Sequence, residues 1–105
     1  MADQDLYSGL IRLHILYHAS KESIFGLEMI RELRRHGYDI SPGTLYPTLH
    51  RLEEKKYLAS HRQLVGGKTR RCYTITPLGR RALTRAKAKV RELFDELFED
   101  ENSCR

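Results

Sequence analysis

Ser41-Pro42-Gly43-Thr44-Leu45-Tyr46-Pro47-Thr48-Leu49-His50-Arg51-Leu52-Glu53-Glu54 is the stretch whose reading decides the fold. Ser41 belongs to the residues that cap helix N-termini, where a side-chain oxygen accepts from an orphan backbone N–H. Pro42 suits the first helical position, which has no use for the N–H that proline lacks. Leu45, Leu49 and Leu52 then recur at the spacing of one buried helix face. The pattern predicts a helix that ends near Lys55. Pro47 falls inside it and removes one backbone bond to Gly43. It lies opposite the leucines, on the open face, where the freed carbonyl meets water or a ligand, so the helix is kept and a bend accepted. Gly43, Thr44, Pro47, His50, Arg51 and Glu54 share that open face, with Tyr46 at its flank.

Upstream, Leu6, Leu10, Leu13 and Tyr17 form a helical stripe widened by Ile11, Ile15 and Leu16, which predicts a largely buried helix from Leu6 to Ala19. After a polar break at residues 20–23, a second helix is expected over Phe25 to Arg35, with Leu27, Ile30 and Leu33 inward and Gly37 at its C-cap. Downstream, two strands are expected, Leu58 to Leu64 and Arg70 to Thr76. The loop between them, Val65 to Thr69, contains Gly66-Gly67. Thr76 and Pro77 open a last helix. In it Leu83, Ala86, Val90, Leu93 and Leu97 make a heptad seam, widened by Phe94 and Phe98. Residues 99–105 are polar and expected to fray. Three helices, a β-hairpin and a long helix make a mainly α fold with a small β-hairpin, a winged helix-turn-helix plus a C-terminal dimerisation helix. Residues 1–76 are the expected DNA-binding part and 77–105 the dimerisation helix and tail, together one compact unit.

The charge pattern narrows the function. The chain has 105 residues, a formal net charge of +5 and a pI near 9.4, which suits one small domain with a polyanionic partner. From Lys55 to Arg91 there is no Asp or Glu, and the next ten residues reverse the sign, from Glu92 to Glu101. Cys72 and Cys104 are the two cysteines, which excludes a disulfide framework and a cysteine-rich zinc site. No apolar run approaches the ~20 residues of a membrane span, and the polar N-terminus is unlike a signal peptide. The expected compartment is the cytoplasm. No paired-carboxylate, Ser/His/Asp, Cys/His or phosphate-loop arrangement is found, so neither an enzyme nor a cofactor is expected.

Residues 41–58, SPGTLYPTLHRLEEKKYL, and 70–79, RRCYTITPLG, resemble the PadR family of bacterial transcriptional regulators. The motifs carrying the resemblance are a recognition helix of the form GTLYPxLxRLE and an aromatic strand ending in TPxG. Phe25-Gly26-Leu27-Glu28 matches the opening of the family's second helix. The resemblance spans about residues 6 to 98. Two departures stand out: Lys56 replaces the glycine common after the recognition helix, and Cys72 replaces a frequent aromatic. The short C-terminus is similar to the family's compact branch. That implies a homodimer held by the last helix, a two-fold symmetric operator in double-stranded DNA, and repression open to relief by a small molecule or stress signal of unreadable identity.

The candidate DNA-binding residues are Ser41, Gly43, Thr44, Tyr46, Pro47, His50 and Arg51 on the third helix and Lys68, Arg70 and Arg71 on the hairpin. Hydroxyls and first-turn N–H groups suit phosphate oxygens, Pro47 suits a thymine methyl, and Arg51 suits phosphate or guanine. A basic hairpin tip suits the backbone or minor groove. Arg71 is the weaker case, since strand alternation can turn it elsewhere. Tyr46 could instead pack against the wing, and Glu54 reads as a solvent charge. The candidate dimer interface is Leu83, Ala86, Val90, Leu93, Phe94, Leu97 and Phe98, with an effector pocket as the other reading of the two phenylalanines. In the last helix the bases precede the acids, an order that an antiparallel partner helix would complement. His14 and His18 are spaced to share a metal ion, but no third ligand stands nearby in the sequence, so none is expected. The competing function is a winged-helix protein-interaction module without specific DNA binding.

Overall fold

The structure, a computed structural model, describes residues 4–99. The element order is α1 (Gln4–Lys21), β1 (Ile24–Phe25), α2 (Gly26–Arg35), α3 (Pro42–Glu54), β2 (Leu58–Val65), β3 (Lys68–Ile75) and α4 (Pro77–Leu97). The four helices surround a three-stranded antiparallel sheet of order β1-β3-β2, which is the mainly α winged-helix architecture read from the sequence. The expected fraying of the tail concerns mostly residues 100–105, which lie outside the described residues.

One strand was not foreseen. Ile24 pairs with Tyr73 and Phe25 with Cys72, adding a third strand to the edge of the hairpin. Two residues are too few to show an alternating pattern. Phe25 is therefore extended, at φ −110° and ψ 148°, and is the N-cap of α2 rather than its first residue. The hairpin is longer and tighter than expected. Val65 pairs with Lys68, leaving only Gly66 and Gly67 in the turn. Both have positive φ, +58° and +79°, the left-handed pair that a two-residue type I′ turn requires.

The core is built from Ile15, Ile30, Leu33, Ile40, Leu45, Leu49, Leu52 and Leu58, with Tyr73 from the sheet. Burying such a side chain contributes about 1.5–3 kcal/mol, so the leucine face fixes how α3 is rotated. Two expectations about packing are corrected. On α1 the core face is Ile11, Ile15, Leu16 and Ala19, whereas Leu10 and Tyr17 are exposed and Leu6 is 73% exposed. The helix carries two apolar stripes, and periodicity cannot say which meets its own chain. On α2, Leu27 is exposed and Met29 takes the inward place.

The helix ends show how the elements are pinned. Gly37, at φ +91°, closes α2 as expected, with Tyr38 N–H donating to Leu33 O at 3.0 Å. Ser41 has the extended backbone of an N-cap, but its side chain makes no capping bond. Its carbonyl accepts from Leu45 N–H at 2.9 Å instead. Pro47 sits inside an unbroken α3, exposed, away from the leucines. Thr76 caps α4 by accepting from Gly79 N–H at 2.9 Å, and its hydroxyl donates to Lys56 O at 2.6 Å. That single threonine ties the start of α4 to the end of α3.

Lys56 follows α3 in the left-handed region, at φ +68°. Lys56 N–H donates to Glu53 O at 2.9 Å and Tyr57 N–H to Leu52 O at 3.0 Å, the two bonds of a Schellman cap that normally has glycine at this position. A side chain there costs about 1–2 kcal/mol, and glycine's freer unfolded chain returns about 0.5–1 kcal/mol of that. Lys56→Gly is therefore expected to stabilise the protein by roughly 0.5–1 kcal/mol in urea unfolding. A loss of stability would show that the lysine side chain holds something the cap geometry does not reveal.

Candidate nucleic-acid interface

With Leu45, Leu49 and Leu52 locked inward, the rest of α3 faces out. Ser41, Gly43, Tyr46, Pro47, His50 and Arg51 are exposed and Thr44 is half-buried. The helix thus presents the predicted residues together, on one continuous face. Thr44 O accepts from the Thr48 hydroxyl at 2.8 Å, which fills a carbonyl near Pro47. His50 lies 3.3 Å from the Glu54 carboxylate. Both side chains are exposed, so Glu54 is the solvent charge read from the sequence, here paired with His50.

Tyr46 leans on α2. Its ring covers Gly26 at the start of α2, where any Cβ would run into the ring and hydroxyl. The Tyr73 phenol of β3 is raised above its ordinary range, first by burial, with Arg71 opposing and Glu53 and then Tyr46 adding to it. Tyr46 is thus held at one edge and is 47% exposed at the other. Gly26 makes room for that ring, and the sequence reading quoted it only as part of a motif. Its role needs the crossing of α2 and α3, which no local pattern encodes.

The hairpin projects Lys68 and Arg70, both exposed. Arg71, one register step on, points to the opposite face of the sheet, as alternation requires. Its Nη1 donates to the Ser60 hydroxyl at 3.2 Å, and Ser60 donates to Glu53 Oε2 at 2.6 Å. Arg71 thus belongs to a chain of bonds that fastens the wing to α3. Arg12 was not among the predicted residues, yet it lines a cleft with Thr44, Pro47 and Arg51 between α1 and α3. In the sequence it is one base on a helix whose apolar stripes dominate the reading.

A fold of this kind carrying this helix is found among known regulators. The model of the transcriptional regulator PadR-like family matches residues 15–85. The chain belongs to the PadR-like family of transcriptional regulators. It is 51% identical over 88 residues to the transcriptional regulator Rv3488 of Mycobacterium tuberculosis, covering 84% of this chain and 82% of that one. A PadR family regulator from Eggerthella lenta superposes with a TM-score of 0.80 at 30% identity, covering 95% of this chain and 88% of the other. A PadR-like regulator from Bacillus cereus gives a TM-score of 0.86 at 25% identity, over 95% and 99%. Membership makes the chain a DNA-binding transcriptional regulator, in a family of regulators and not of enzymes. No helix among the described residues is long and apolar enough to cross a membrane.

The two departures from the PadR pattern fall behind this surface. Lys56 occupies the strained cap, and Cys72 is fully buried with its Sγ 2.9 Å from His61 Nε2 and 3.4 Å from Gln63 Oε1. The dimerisation candidates on α4 are arranged otherwise. Leu83 packs against the core and Ala86 is half-buried, while Val90, Leu93, Phe94, Leu97 and Phe98 are exposed in the single chain. The Phe94 and Phe98 rings lie 4.7 Å apart.

Gly26→Ala tests how Tyr46 is held. The added methyl meets the far end of an exposed ring, so the loss of stability is expected at the low end for overpacking, about 1 kcal/mol. Operator affinity should fall because the ring is displaced. Combined with Tyr46→Ala, the glycine substitution should cause no further loss of affinity. Additive losses in that double-mutant cycle would mean that Gly26 acts on DNA binding without Tyr46.

Proposed function

We propose that this regulator is a cytoplasmic homodimer that represses transcription by binding a two-fold symmetric operator in double-stranded DNA. The observation that carries the reading is the division of α3: its leucines are buried while the hydroxyl, apolar and basic groups from Gly43 to Arg51 are displayed on one face. A helix so presented suits the major groove, which is wide enough to admit it. Thr44, Tyr46, Pro47 and Arg51 are then the groups nearest the bases, with Ser41 and the first-turn N–H groups on phosphate. Lys68 and Arg70 hold the backbone or minor groove, and Arg71 keeps the wing in register with α3. The part up to Thr76 is the DNA-binding unit and α4 is the dimerisation helix.

The dimer follows from the second apolar stripe. Leu10, Leu13 and Tyr17 of α1 and Leu83, Val90 and Phe94 of α4 line an open groove of about 960 Å³. Contiguous apolar surface of this kind marks an interface. A second copy of α4 fills it, with Leu93, Leu97 and Phe98 extending the contact. The bases of α4 precede its acids, so an antiparallel partner helix brings opposite charges together. A small-molecule signal that relieves repression would act here, by changing the packing of Phe94 and Phe98 between the two copies.

The two DNA-facing elements are separable by experiment. The probes are the fragment that the wild-type chain enriches from its own organism's genome and a random duplex of equal length, each titrated at two salt concentrations. Lys68→Ala and Arg70→Ala should weaken both alike and flatten the salt dependence by roughly one phosphate contact each. Thr44→Ala and Tyr46→Phe should instead lose about threefold to tenfold on the enriched fragment only, as expected for one hydroxyl contact. If none of the four changed DNA binding, α3 and the wing would be protein-binding surfaces.

A further inference from the structure

The two histidines of α1 acquire partners that the sequence keeps far away. His14 and His18 stand one turn apart on one face of α1, and the end of α2 brings His36, its C-cap residue, against them. One ring nitrogen from each of the three lies within 4.8 Å of the other two. Glu32, one turn before His36 on α2, places Oε2 beside two of them, 3.0 Å from His36 Nε2 and 3.7 Å from His18 Nε2. Its other oxygen, Oε1, is 3.7 Å from Arg35. We propose that His14, His18, His36 and Glu32 form a binding site for a divalent transition-metal ion, and that Zn²⁺ is the ion it fits best.

The donor set carries the choice of ion. Three imidazole nitrogens and one carboxylate oxygen suit zinc and its first-row neighbours, not calcium or magnesium, which take oxygen ligands. A tetrahedral ion with bonds of about 2.0–2.1 Å holds its ligand atoms about 3.4 Å apart. The three histidines, two half-buried and one exposed, would have to rotate to close the observed spacing to that value. Arg35 on the outer carboxylate oxygen is the kind of outer partner that fixes a ligand's orientation. Ring stacking offers a simpler reading, since His14 and His36 stack at 4.8 Å and Tyr38 meets His14 edge-on at 5.3 Å. Stacking gives no reason for a carboxylate to face two of the imidazoles.

The site joins α1 to α2. The same His14 borders the groove lined by Tyr17 and Phe94, and α2 packs on α3. An ion bound here therefore clamps the helix of the proposed dimer face to the one behind the recognition helix. The site itself does not depend on the DNA-binding reading and is tested without DNA.

The experiment is a calorimetric titration of the metal-free chain with Zn²⁺ alone, with thermal unfolding followed in parallel and Co²⁺ used as an absorbing substitute. One ion per chain and a rise in the unfolding temperature with Zn²⁺ are expected. His36→Ala, at an exposed position, should lower the affinity by at least about 100-fold, the upper end of what losing a mere outer partner does. Glu32→Gln, which keeps the shape, should weaken it in the same direction and alter the Co²⁺ absorption bands. His61→Ala, at a histidine outside the site that contacts Cys72, should bind as the wild type does. Absence of Zn²⁺ uptake by the wild type, undiminished affinity in folded His36→Ala, or loss of binding in His61→Ala would each overturn the proposal.

Discussion

The burial of Leu45, Leu49 and Leu52 is the constraint on which the functional surface depends. A helix has one rotation at which three leucines enter a core, and that rotation dictates what its other face shows. Pro47 is tolerated because it lies on the open side. The neighbouring elements then hold this orientation from both ends. Gly26 lets α2 approach closely enough for Tyr46 to lie across it. At the other end the strained Lys56 turn and the Thr76 hydroxyl lock α3, β2 and α4 together. The Glu53–Ser60–Arg71 bonds set the wing against the same helix.

A second constraint is unfinished within one chain. Leu10 and Tyr17 of α1 and Val90, Leu93, Phe94 and Leu97 of α4 stay exposed. Leaving such side chains in water forgoes about 1.5–3 kcal/mol each, and a small domain has little core with which to offset that. The partner helix proposed for this face would both supply the missing burial and set the separation of two copies of α3. The core that orients α3 and the stripe that would space two copies of it lie on opposite sides of the same helix, α1.

Much of this was legible in the sequence because local rules coincide with global needs. Pro42 and Pro77 at helix starts, Gly37 at a helix end and Gly66-Gly67 at a turn each state a backbone conformation. What escaped was relational. A two-residue strand has no period, so β1 was invisible. The two stripes on α1 could not be told apart, and both were turned inward when only that of Ile11, Ile15 and Leu16 is buried. Leu27 was turned inward when Met29 holds that place. The role of Gly26 and the meeting of His36 and Glu32 with His14 and His18 depend on how helices cross. Arg71 was half-legible, since strand alternation separates it from Arg70 but cannot name Ser60 as its partner.

The most direct test of the whole arrangement is the assembly state of Leu93→Asp beside the wild type, by sedimentation, with operator binding measured on the same samples. A carboxylate at this position would be buried in the proposed seam, where an unpaired charge is not tolerated, while in the single chain it stays in water and leaves the fold intact. A wild-type dimer, a folded monomeric variant and weakened operator binding are the expected result. A variant that remains dimeric, or a wild type that is monomeric when bound to its operator, would contradict it.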